Sequence, residues 1–228
     1  MIGTHKTVSV ILSHLLYLYR YMDNYEVLPN GVIKQRVVQK ISYTFEYSNK
    51  YNAYGEKGHY LSYLRYGVLL GALQRTPTRL TDVGYGNGDF LRACSGSVKE
   101  LYGCDLSDYP VPEGCAKILL TDISNMDVTC FFDSLEHFDD ITVVKNIDTK
   151  YVFISVPWCH SASPEWFLPW YHRRENEHLF HFNEASLQRF FDECGYDCIY
   201  SGCFEDVIRK NPSLQGLPNI LSCIFKKR

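Results

Sequence analysis

The stretch LTDVGYGNGDF, residues 80 to 90, decides how this chain is read. An apolar run ends in Asp82, glycines follow at 84, 86 and 88, and a helical pattern, LRACS, comes next. Glycine lets the backbone turn tightly and lie close to a bound group where a side chain would collide. The start of the helix offers N–H groups and the positive end of its dipole. Such a turn holds a nucleotide-like ligand. The spacing excludes the common dinucleotide fingerprint GxGxxG, which needs its third glycine at position 89, occupied here by Asp89.

Outward from this turn, short apolar runs alternate with helical stretches, the signature of an α/β sheet with crossover helices. The pattern predicts strands near 79 to 83, 100 to 104, 116 to 120, 128 to 132 and 151 to 156. Two final strands follow near 197 to 203 and 219 to 226. A helix over 184 to 194 has Asn183 as its N-cap and Gly195 as its stop. Upstream, HYLSYLRYGVLLGALQ (59 to 74) has helical spacing, and YEVLPNGVIKQ (25 to 35) carries a Pro-Asn-Gly hairpin turn. Residues 7 to 22 read as an amphipathic helix, too short and interrupted to span a bilayer.

The pattern DxGxGxG resembles the S-adenosylmethionine-binding turn of class I methyltransferases, in particular the type-11 and type-23 domains. The resemblance runs from residue 79 to about 226. It implies a Rossmann-like, doubly wound, mostly parallel seven-stranded sheet with an antiparallel last strand, and a helical and hairpin extension before it. The chain then divides into an N-terminal extension or lid (1 to 60), packed on the same domain, and a methyltransferase domain (61 to 228). By the same resemblance Asp82, Gly84, Tyr85, Gly86 and Gly88 form the cofactor turn. Asp105, 17 positions past Gly88, bonds the ribose hydroxyls, with Leu106 beside it. Asp122 meets the adenine amino group and Ile123 packs on the ring. Arg65 is a candidate for the cofactor's carboxylate, and Tyr51 or Tyr54 for a further lid contact. The run CFFDSLEHF, residues 130 to 138, resembles the D-x-LEH turn of small-molecule methyltransferases and puts Asp133 at a strand end facing the cleft.

Residues 155 to 182, SVPWCHSASPEWFLPWYHRRENEHLFHF, hold all three tryptophans and four of the eight histidines. Such rings suit a half-enclosed pocket, so this segment is expected to bind the acceptor through Trp158, His160, Trp170, Arg173 and His181. His178 matches a cleft histidine of the family and is the candidate general base, alongside Asp133. A backbone-bonded loop histidine is the alternative. His172, Glu177, His178 and His181 have the chemistry of metal ligands, but they form no recognised set, and no metal is expected.

A charge of -3 gives no overall footprint for nucleic acid. The chain also lacks the [DNS]PP[YFW] and Pro-Cys signatures of DNA-base methyltransferases. Nine cysteines without a CxxC pair suit a reducing cytoplasm, the host's if the source is viral. The expected function is S-adenosylmethionine-dependent methylation of an O or N on a small polar metabolite such as a sugar, nucleotide or lipid precursor, with S-adenosylhomocysteine as product. A nucleic-acid or protein methyltransferase and a non-catalytic module that keeps the fold are the alternatives. No membrane partner is expected, and a homo-oligomer is left open.

Overall fold

A computed structural model describes residues 23–41, 55–107 and 109–228. The helix expected over 7 to 22 and the lid tyrosines Tyr51 and Tyr54 lie outside the described residues.

The strands are β1 (Tyr25–Val27), β2 (Ile33–Gln35), β3 (Arg79–Val83), β4 (Glu100–Cys104), β5 (Cys115–Lys117), β6 (Met126–Phe132), β7 (Thr149–Pro157), β8 (Phe180–His181), β9 (Tyr196–Gly202) and β10 (Ile220–Lys227). The α-helices are α1 (Glu56–Leu73), α2 (Asp89–Cys94), α3 (Pro164–Phe167), α4 (Glu184–Glu193) and α5 (Asp206–Arg209). Seven strands form one sheet in the order β5-β4-β3-β6-β7-β10-β9. Pairings from β5 through β7 are parallel, and β10 runs antiparallel to both its neighbours. The chain order reverses between β3 and β6, and the crevice above such a switch point is where open α/β sheets bind ligands.

The central strands form because their apolar runs are covered on both faces, as parallel sheets require. All seven residues of β6, MDVTCFF, are buried. One layer of the core packs Leu69, Phe90, Leu91 and Phe153 on one side of the sheet, and another packs Phe131, Ile154, Phe191 and Phe225 on the opposite side. Asn183 and Ser186 cap α4 reciprocally, which fixes where that helix starts. In α1 the buried positions are Leu61, Ser62, Arg65, Tyr66 and Leu69, so the face turned to the sheet carries a guanidinium into the interior.

Two features depart from the sequence reading. The third strand, expected over 116 to 120, ends at Lys117, and a short 3-10 turn, Leu120–Asp122, follows. The hairpin pairs with β8 through Ile33 and His181, making a second sheet, β1-β2-β8. Residues 25 to 35 are thereby knit to the segment that follows β7.

Candidate functional site

Two adjoining cavities, of about 610 and 340 Å³, open above the switch point. They share Gly84, Gly86, Asp133 and His137 as a common wall.

The glycine turn sits between them. Gly84 and Gly88 have φ of 78° and 79°. A Cβ on Gly84 would lie 2.6 Å from the Ser134 side chain, and one on Gly88 would lie 2.5 Å from Pro112. These glycines are demanded first by the protein's own packing. Tyr85 folds inward against Gly103, where a Cβ would lie 2.7 Å from its ring, and its hydroxyl bonds the Tyr109 carbonyl.

Asp105 accepts hydrogen bonds from the Gly86 amide (3.0 Å) and the Ser107 amide (2.8 Å), so it latches the glycine turn while bordering the larger cavity. Beside it Leu106 and Leu119 are 89% and 69% exposed among the described residues and form an apolar shelf with Ile118 and Leu120 along the larger cavity. Asp82 lines the smaller cavity. Its Oδ1 is buried without a hydrogen-bond partner among the described residues. Burial pushes its carboxyl up to about 7, against the pull of Arg65, with Asp105 adding to the rise.

Asp122 and Ile123 do not line either cavity. Because β5 ends early, Leu119 and Leu120 turn over the cavity instead; Asp122 is exposed and Ile123 joins the core. Arg65 borders the smaller cavity, but its guanidinium is committed to Glu205 (2.7 and 2.9 Å) and Asp133 (3.3 Å), and lies 4.2 Å from the Phe132 ring centre. Arg209 closes the network with bonds to Asp133 (2.8 and 2.9 Å) and Glu205 (2.7 Å). Asp133 reaches the cleft wall on a left-handed residue, φ 49°. Flanking guanidinium groups hold its carboxyl well below the usual range despite burial, which makes it a poor proton acceptor.

The segment after β7 divides in two. Tyr171, His172, Arg174, Glu177 and His178 line the smaller cavity. Trp158, His160, Trp170, Arg173 and His181 line neither, contrary to the acceptor-binding expectation. Trp170 and Phe167 form a small core with Tyr25 and Leu214, and His181 sits against it with its Nε2–H donating to the Arg173 carbonyl (2.9 Å). Burial lowers the His181 pKa to about 4. His160 stacks on Trp158 and bonds the Pro218 carbonyl (2.6 Å). Arg173 lies beside Tyr25 and Glu175. Aromatic and histidine content identifies a place where rings meet polar groups; for His160 and His181 those groups are the chain's own carbonyls, and the rings of Phe167, Trp170 and His181 pack against Tyr25 of the hairpin.

His178 does face the smaller cavity. Its Nδ1 is 2.7 Å from the His172 carbonyl, which can only accept, so Nδ1 carries the proton and Nε2 the lone pair. The same logic holds for His137, whose Nδ1 meets the Glu177 carbonyl at 2.7 Å. The two rings meet edge to face at 4.7 Å. Burial, with His137, His181 and Arg174 nearby, drives the His178 pKa well below its ordinary value, so it is a weak base but a good acceptor of hydrogen bonds. His137, Arg209 and Glu205 were missed by sequence reasoning; His137 stands inside the quoted D-x-LEH run, whereas the two C-terminal residues carried no motif.

The methyltransferase-domain family model matches residues 54–201. No curated protein matches the chain in sequence. Among solved structures, YcgJ from Bacillus subtilis is 16% identical, covering 72% of this chain and 98% of its own, with a TM-score of 0.53. A Burkholderia thailandensis 1,6-didemethyltoxoflavin-N1-methyltransferase, solved with 1,6-didemethyltoxoflavin and S-adenosylhomocysteine bound, is 14% identical over 90% of this chain and 99% of its own (TM-score 0.52). A Haloferax volcanii chain in complex with the Trm112 methyltransferase activator is 13% identical over 78% and 96% (TM-score 0.53). With the family model covering well over half its length and the sheet order of that fold in place, the chain belongs to the class I methyltransferase-domain family, whose methyl donor is S-adenosylmethionine.

Proposed function

We propose that this chain transfers a methyl group to an oxygen or nitrogen of a small polar acceptor bound in the cavity bordered by His137, His172 and His178. The observation that carries the reading is the pair of cavities meeting at one wall, one mostly apolar and bordered by the Asp105 carboxylate, the other with His172, Arg174, Glu177 and His178 in its lining.

The donor fits the residues present. The leucines along the larger cavity offer a flat apolar bed for adenine, and Asp105 keeps lone pairs for the ribose hydroxyls while latching the turn. Asp82, with its orphaned buried oxygen, suits the ammonium of the methionine end. Bound S-adenosylmethionine supplies an electrophilic methyl group on its sulfonium. The chain's own task is placement: an in-line displacement needs the acceptor held opposite the leaving sulfur in a dry site. The Nε2 lone pairs of His137 and His178 accept the acceptor's O–H or N–H, aim its nucleophilic atom, and take the proton that becomes strongly acidic as the methyl group is attached, for release to solvent. The Asp133–Arg65–Arg209–Glu205 network holds the floor between the cavities rigid, and Asp133 acts as a positioning residue.

Nucleic acid draws little support from the surface. Arg174 pairs with Glu177, Lys227 with Asp148, and Arg228 with Asp192 and Asp197, so these cations are already partnered by carboxylates of the chain. Among the described residues no helix is long and apolar enough to cross a membrane. The unpaired cysteines favour the cytoplasm as the working compartment.

The test is transfer from S-adenosylmethionine labelled in its methyl group, with a cell extract separated into small-molecule, RNA and protein fractions as acceptors. Label is expected in the small-molecule fraction. Label confined to RNA or protein would reject the acceptor class.

A further inference from the structure

Glu136 is not used by the methyl-transfer reading, yet it is an expensive residue to keep. It is 1% exposed, and neither carboxylate oxygen has a hydrogen-bond partner in another described residue. A buried carboxylate without partners is costly to keep ionised unless a cation or hydrogen-bond donor compensates it. One carboxylate oxygen and one ring nitrogen each from His137 and His178 lie within 4.8 Å of one another. Ligand atoms around a single ion at about 2.1 Å stand roughly 3 to 3.5 Å apart, so small side-chain rotations would bring the three together.

The surroundings are those of a prepared ligand set. Each histidine gives its Nδ1–H to a backbone carbonyl, Glu177 for His137 and His172 for His178, both at 2.7 Å. This is how metal-binding histidines are oriented, with the tautomer fixed so that Nε2 carries the lone pair. The Glu136 carbonyl accepts from the Leu179 amide (2.8 Å), tying the turn that carries two of the ligands to the residue after the third. The three are anchored by backbone bonds before any ion arrives.

We propose that Glu136, His137 and His178 form a binding site for one divalent first-row transition-metal ion at the edge of the acceptor cavity. Two imidazoles and one carboxylate favour zinc, manganese, iron or cobalt over magnesium or calcium, which prefer oxygen ligands throughout. His137 and His178 line the cavity, so an ion here borders the space assigned to the acceptor, and an acceptor oxygen would meet the ion in place of the ring nitrogens. The expectation from sequence had grouped His178 with His172, Glu177 and His181. Those histidine rings stand 6.5 Å from His178, and the partners come instead from the D-x-LEH turn.

The experiment is calorimetric titration of the full chain, without a histidine tag and stripped by chelator, with zinc and manganese chlorides in the absence of any methyl donor. One ion per chain is expected, with magnesium unable to compete. Glu136→Gln and His137→Asn, chosen because both spare the tightly packed His178, should each weaken binding by at least about tenfold, the lower end of what even an indirect metal partner costs. Near-UV circular dichroism checks that each variant is folded. No binding by the wild type, magnesium bound in preference, or unchanged affinity in both variants would overturn the site. A chain that binds S-adenosylhomocysteine but no metal overturns this proposal alone.

Discussion

At Asp82 two demands conflict. The carboxyl lies near a strand end at the switch point, where burial favours its neutral form, and it lines the smaller cavity where the donor's ammonium group is proposed to sit, which favours its ionised form. Its folded pKa near 7 lies above the unfolded value, so the unliganded chain takes up a proton there on folding. The stability this contributes is complete below about pH 4 and is lost as pH rises through 7. Ligand binding runs the opposite way, because the ammonium needs the ionised form. Affinity for S-adenosylhomocysteine should therefore fall as pH is lowered from about 8 to about 6, by up to tenfold per unit below 7, and Asp82→Asn should abolish that dependence. Calorimetry across that range checks it. Glu205 presents the other case: completely buried between Arg65 and Arg209, its carboxyl is held below the ordinary range by their charges despite burial. Its contribution is present above the usual carboxylate pKa and is lost as acid takes pH below it. Glu205→Gln leaves two guanidinium groups short of a counter-charge and should cost on the order of 3–5 kcal/mol in urea unfolding.

Among the elements, the large sheet was legible because strands such as β6, β7 and β10 are short and mostly apolar, and burial on both faces writes itself into composition. The helix α4 was legible from Asn183 and Gly195, whose cap geometry depends on neighbours only a few residues away. The small sheet was not. A two-residue strand such as β8 has no periodicity to read, and its partner lies about 150 positions upstream. The same distance hid the meaning of the aromatic segment: a ring with one polar edge looks alike in sequence whether that edge meets a ligand or, as for His160 and His181, a carbonyl of the chain. The packing role leads to a separable outcome. Phe167→Ala should destabilise the fold by about 3–5 kcal/mol, since its ring is fully buried against Tyr25 and His181. It should leave affinity for S-adenosylhomocysteine unchanged, which thermal unfolding and calorimetry on one preparation distinguish.

Across the whole molecule, the residues assigned to the cofactor lie mainly in local motifs at the ends of consecutive strands, which a reading along the chain meets in order. The exception is instructive: ending β5 three residues early replaced Asp122 and Ile123 with Leu119 and Leu120 at the cavity. The smaller cavity, proposed for the acceptor, is walled by residues of α1, the D-x-LEH turn, the segment after β7 and α5, and no local pattern announces that convergence. The central claim is that the glycine turn, Asp105 and the leucine shelf hold S-adenosylmethionine against the shared wall of the two cavities. Calorimetric titration of the folded chain with S-adenosylhomocysteine tests it most directly, using wild type and Asp105→Ala. The account predicts one ligand per chain, bound at least about tenfold more weakly by the variant, which loses two carboxylate acceptors and the latch on Gly86. No binding by the folded wild type, or equal affinity in both, would contradict it.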